Sequence, residues 1–212
     1  MTKVIYFLTA LTLSICANAQ SKYEQGMSKA MELWQQDKLD EASNLFERIA
    51  AAEKDNWLPD YYVGQIAVIK MWNQWETRDE SQIKAQADKA QEYVNNIRTI
   101  DKDNLYAKQL EAQLLTLWVA HDGMKYGMKY SGKISKNYAE MKIAEPHNPI
   151  FILNKADWDM GAAAYFGGDT AAICNEMKRA IDLFATFKPE TQFHPSYGLE
   201  RAEKAYAECS KK

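Results

Sequence analysis

An excess of basic residues is missing from this chain. Lys and Arg number 26 against 29 Asp and Glu, a formal net charge of −3, and the lysines are dispersed along the sequence. Without a basic stripe there is nothing to make the phosphate contacts that nucleic-acid binding demands, so that partner class is excluded. Histidine is scarce as well. His121, His147 and His194 are the three present, no two at a metal-binding helical spacing, and no metal site is expected. The sequence has neither a Gly-x-Ser-x-Gly motif nor a Cys-x-x-Cys pair, which argues against serine-nucleophile and dithiol chemistry. The glycine and lysine run from Gly123 to Lys133 is followed by Ile134 rather than Ser or Thr, and so is not a phosphate loop. Close helix packing at Gly127 and Gly132 is expected there instead. Carboxylate neighbours such as Asp157 with Asp159, or Asp79 with Glu80, diverge on a helix and are expected to be solvated. No catalytic set, cofactor or enzymatic activity is assigned.

Long apolar runs are also few. The one that stands out is Val4 to Ile15, preceded by Lys3 and followed by Ala17-Asn18-Ala19, a pattern expected of a signal peptide over residues 1–19 cut after Ala19. Twelve apolar-rich residues are too short to cross a bilayer and no later stretch is long enough, so no membrane span is expected. Ile15 is too bulky for the residue before a lipidated cysteine, which disfavours Cys16 as an anchor. The expectation is a periplasmic or secreted protein, residues 20–212, forming one domain. Loss of Lys3 would take its net charge from −3 to −4.

Of three cysteines, Cys16 falls in the leader, leaving Cys174 and Cys209. Cys174 lies three residues before Met177 on a packing face, and Cys209 follows Leu199, Ala202 and Tyr206 at spacings of three, four and three. Both point toward one interface, so a disulfide is expected in an oxidising compartment. Two buried thiols are the alternative.

What the sequence does have is a repeated signature. Glu53-Lys54-Asp55-Asn56, Asp101-Lys102-Asp103-Asn104 and Glu145-Pro146-His147-Asn148 close successive units, 48 and 44 residues apart, a period in the range of helical arrays. At matching offsets before each signature stand Ala42, Phe46 and Ile49; Ala90, Val94 and Ile97; Ile134, Tyr138 and Met141; and, before Pro189, Met177, Ile181 and Phe184. Spacings of four and three put each trio on one helical face. Met124 and Met128 are read as extending the third stripe. Asn56, Asn104 and Asn148 suit N-caps, Pro149 suits a first turn, Asp79 with Gln82 forms a capping-box variant, and Gly167-Gly168-Asp169 ends one helix and starts another. Helices are predicted over 21–36, 40–53, 57–75, 80–100, 105–120, 123–144, 149–166, 170–187 and 196–210.

The segment Asp40 to Phe46, with Ala30 twelve residues before Ala42 and with Val63-Gly64 and Ala112 in the small-residue position of later units, resembles the tetratricopeptide repeat. The resemblance is good over residues 23–56 and looser after, because that family repeats every 34 residues. It implies an all-α fold: antiparallel helix pairs stacked as a short right-handed α-solenoid, about nine helices with a C-terminal capping helix. It also implies a concave ligand face on the first helix of each pair, here Met27, Met31 and Trp34, then Tyr61, Gln65 and Val68, then Tyr106, Gln109 and Gln113. Aromatic, methionine and glutamine side chains suit a protein or peptide segment. The same residues are equally what a core contains. The function expected is a non-enzymatic interaction module. The alternative is a small-ligand or glycan-binding protein using Tyr61, Tyr62, Trp72 and Trp75 as stacking platforms. Neither partner identity nor oligomeric state is encoded legibly.

Overall fold

The computed structural model describes residues 22–77 and 79–210. The expected leader, residues 1–19, lies outside them. Among the described residues there are nine α-helices and no strand. In chain order they are α1 (22–35), α2 (Leu39–Ala52), α3 (Leu58–Asn73), α4 (Glu80–Ile100), α5 (Leu105–His121), α6 (Gly123–Ala144), α7 (Pro149–Phe166), α8 (Thr170–Phe184) and α9 (Leu199–Cys209).

Local chemistry sets most of these boundaries. Asp79 and Gln82 form a reciprocal capping box at α4. Asn104, Asp122, Asn148 and Asp169 each accept a backbone N–H of the following first turn, satisfying donors a helix start leaves open. The largest departure from expectation is at 185–198, where two helix ends recede. Pro189 and Pro195 cannot donate to a helix and bias their preceding residues away from it, and Gly198 has φ +120, a turn that only glycine takes readily.

From α2 to α9 consecutive helices pack on one another, and first helices of successive pairs also touch, α3 with α5 and α5 with α7. This is a stacked array of helix pairs. The arrangement explains two kinds of sequence. The second helices face neighbours on one side, so the trios Ala42/Phe46/Ile49, Ala90/Val94/Ile97 and Ile134/Tyr138/Met141 are all buried on single stripes. The first helices are enclosed on most sides and read as apolar nearly all round. Twelve of the sixteen residues of α3 are buried. Small residues fall where first helices meet: a Cβ on Gly64 would sit 2.4 Å from Leu110 Cδ2, and Ala112 is fully buried.

Two expectations for α6 are corrected. A Cβ at Gly127 or Gly132 would meet nothing within 4 Å, so neither glycine marks a close approach. Met124 and Met128 are 86% and 100% exposed. At about 100° per residue, Met128 lies roughly 120° from Ile134 around the helix. The stripe runs instead through Tyr126, half-buried Tyr130, Ile134, Tyr138 and Met141.

Cys174 and Cys209 are disulfide-bonded with Cα atoms 5.8 Å apart. The bond ties the C-terminal end of α9 to the second turn of α8, where Met177, Ala156 and Cys209 form a small apolar cluster. This fixes the helix whose other end enters the site.

Candidate functional site

Residues 187–198 do not skirt the array. They run across the face that the first helices share, and Phe193 joins the main core with Phe187 and Tyr197 packed against it. Tyr62 Oη donates to the Phe193 carbonyl at 2.7 Å, and the Tyr61 and Tyr197 hydroxyls lie 2.5 Å apart. The Phe193 ring meets Tyr23, Tyr197 meets Trp34, and His194 meets Trp57. One half of the concave face is therefore filled by the chain itself.

This places the residues assigned to a partner surface. Met27, Tyr61 and Gln109 are fully buried and Tyr106 nearly so, while Met31 and Trp34 pack against the core from its edge. Gln65 and Val68, themselves buried, and half-buried Gln113 stand instead in the walls of a cleft in the other half of the face. Of the four aromatics expected as stacking platforms, Tyr61 and Tyr62 are buried, whereas Trp72 is 42% exposed and lies against Trp75.

The cleft has a volume of about 600 Å³. One wall is α3, with Val68, Ile69 and Trp72; the floor is α5, with Gln113, Thr116 and Ala120; the far wall is α7, with Asn154, Asp157, Trp158 and Gly161. Tyr138 reaches it from α6, and Tyr197, Gly198 and Arg201 close the inner end. The α7 spacing of three, one and three residues keeps that set on one side of the helix.

Polar groups converge on Asn154. Its Nδ2 donates to the Ile150 carbonyl at 2.8 Å, so its Oδ1 faces the cleft wall and accepts from Gln113 Nε2 at 3.0 Å and Arg201 Nη2 at 2.9 Å. Arg201 Nη1 is paired with Asp157. Burial pushes the Asp157 carboxyl above the usual carboxylate range, against the pull of Arg201. Burial likewise raises the phenols of Tyr138 and Tyr197, keeping both protonated at neutral pH. Asp159, considered with Asp157 for acid–base work, points elsewhere and pairs with Lys155.

A second polar centre stands behind the cleft floor. Glu111 is 1% exposed on α5, yet it holds Arg98 through both oxygens at 3.0 Å, Lys133 at 2.8 Å and Asn137 at 3.0 Å. Burial alone would raise its pKa, but these partners hold it down to about 2. It stitches α4, α5 and α6 together. Sequence reasoning missed Glu111, Arg201 and Trp158. Glu111 stands out on inspection as a charged residue inside an otherwise apolar face.

No family model matches the sequence, and no curated protein is significantly similar to it. The fold is similar to a solved structure, the HusA haemophore from Porphyromonas gingivalis, with a TM-score of 0.76 over 89% of this chain and 93% of that one. Sequence identity is 17%, so the likeness is one of fold.

Proposed function

We propose that this chain is a non-enzymatic binding protein that holds a flat, largely apolar ring ligand of the tetrapyrrole class in the cleft between α3, α5 and α7. The observation that carries the reading is the cleft itself. At about 600 Å³ it falls within the range of small-molecule sites, and apolar walls with a few converging polar groups are what such sites contain. Trp72 and Trp158 supply ring faces, and Val68, Ile69 and Ala120 supply aliphatic surface. The likeness of fold to a haemophore supports the same class.

The donor set decides how such a ligand would be gripped. The lining contains no imidazole, thioether or thiol, and its two phenols are held protonated. The ring, rather than a metal within it, is the feature recognised. Titration with haem and with metal-free protoporphyrin, followed by tryptophan fluorescence, is expected to give Kd values within about tenfold of each other, both micromolar or tighter, or about −8 kcal/mol. Failure of both to bind contradicts the proposal.

A scaffold role through the concave face has less support. A partner seeking Met27, Tyr61, Tyr106 and Gln109 would have to displace residues 187–198. Export to the periplasm or beyond forms part of the proposal, supported by the residue 1–19 pattern and by the Cys174–Cys209 bond.

A further inference from the structure

We infer that Arg201 is the anchor for a carboxylate on the ring ligand, and that Asp157 competes with that carboxylate for the same guanidinium. The inference rests on the cleft being the ligand site. Arg201 and Asp157 are the one cation and the one anion among the residues that line it. Every other polar side-chain group there is an uncharged amide, hydroxyl, phenol or indole N–H, so a charged substituent on a ligand has a single oppositely charged partner.

The guanidinium is both fixed and reachable. Gly198, at φ +120, turns the chain into α9 so that Arg201, in the first turn, lies over α7. Asn154 cannot turn its amide round without breaking the bond to Ile150, so its Oδ1 is committed to Arg201 and Gln113. Asn154 and Asp157 thus hold Nη2 and Nη1 in place. A guanidinium has five N–H donors in a planar fork, and these two acceptors leave others free. The Arg201 side chain is 49% accessible and that of Asp157 32%, so an incoming carboxylate can reach the outer edge of the fork. It then lies close to Asp157, and two like charges on one cation oppose each other. The acid edge of the ligand is placed at α9 and its ring body toward Trp72 and Trp158.

Two substitutions with opposite expected signs test this. Protoporphyrin as the free acid and as its dimethyl ester are titrated against wild type, Arg201→Gln and Asp157→Asn. Wild type is expected to favour the acid by about tenfold, the scale of one charge-assisted pair at a half-exposed site. Arg201→Gln is expected to abolish that preference, so that acid and ester bind alike. Asp157→Asn is expected to tighten acid binding by roughly threefold to tenfold relative to the ester, because it removes the competing charge and keeps the shape. A purely structural role for the pair would weaken acid and ester alike in both variants. Equal binding of acid and ester by wild type, or unaltered acid binding in Asp157→Asn, overturns the assignment while the ring-ligand reading stands. Binding of neither compound by wild type removes the ring-ligand reading and this assignment with it.

Discussion

A phenylalanine in place of Gly161 is expected to abolish ring binding, by about 100-fold or more in Kd, while leaving the fold at least as stable as wild type. Gly161 lines the cleft from α7, and a Cβ there would meet nothing within 4 Å, so a bulky side chain occupies space that belongs to the ligand rather than to the core. Glycine inside a helix costs about 1 kcal/mol relative to alanine. Phenylalanine, itself a weaker helix former than alanine, relieves part of that cost. Most substitutions that damage a site also damage the protein, and this one separates the two: affinity falls while the melting temperature holds or rises. A ligand bound elsewhere would be indifferent to residue 161. Titration beside thermal unfolding of the same preparation distinguishes these outcomes.

Glu111→Ala is expected to destabilise the protein by about 3–5 kcal/mol, the usual consequence of breaking a buried ion pair from one side, and to lower Tm on the order of 10 °C. Arg98 and Lys133 would then be left close together without their carboxylate, and Asn137, itself buried, would keep the Lys108 carbonyl but lose the other of its two acceptors. The pH dependence has a definite sign. A carboxyl held at about 2 when folded, against an ordinary value near 4.3 unfolded, contributes stability that is fully present above the unfolded value. That contribution is lost as pH falls through the folded one. The stability difference between wild type and Glu111→Gln should therefore be constant from neutral pH to about 5 and shrink between about 5 and 2. Asp157, whose pKa is raised by burial, acts in the opposite direction in both proteins, so it cancels in that difference. Chemical denaturation at a series of pH values measures it.

The helices were legible because each depends on residues close in sequence. Asn104, Asn148 and Asp79 cap the helices they were expected to cap, and the apolar trios at fixed offsets are the buried stripes of α2, α4 and α6. The disulfide was legible for the same reason, since Cys174 and Cys209 each extend a stripe of their own helix. The α6 stripe was misplaced at its start because Met124 and Met128 are apolar without being on the face. Polarity alone cannot tell Tyr126 from Met128. Rotation about the helix axis can.

The site was legible only in part, because it is made by residues distant in sequence. Gln65 and Gln113 were expected on a concave face and border the cleft, Gln65 from a buried position, whereas Tyr61 and Gln109, one turn away on the same helices, are covered completely. The difference is made by residues 187–198, where Phe193 and Tyr197 cover one half of the face. Nothing local to α3 or α5 records that covering. Pro189 and Pro195 fall between the helices expected over 170–187 and 196–210, but Gly198 was placed inside the second, and nothing in the helical pattern marked Phe193 and Tyr197 as returning to the core. Arg201 and Asp157 are separated by 44 residues, and their pairing follows only once α9 is folded against α7.

The central claim is that the cleft between α3, α5 and α7 takes the ring. A crystal structure of the protein with bound protoporphyrin tests it most directly. The account predicts the ring in van der Waals contact with Trp158, Val68 and Thr116, with a carboxylate toward Arg201. Density for the ring on exposed Met124 or on the exposed pair Tyr165 and Phe166, or against residues 187–198, with the cleft holding only solvent, would contradict it.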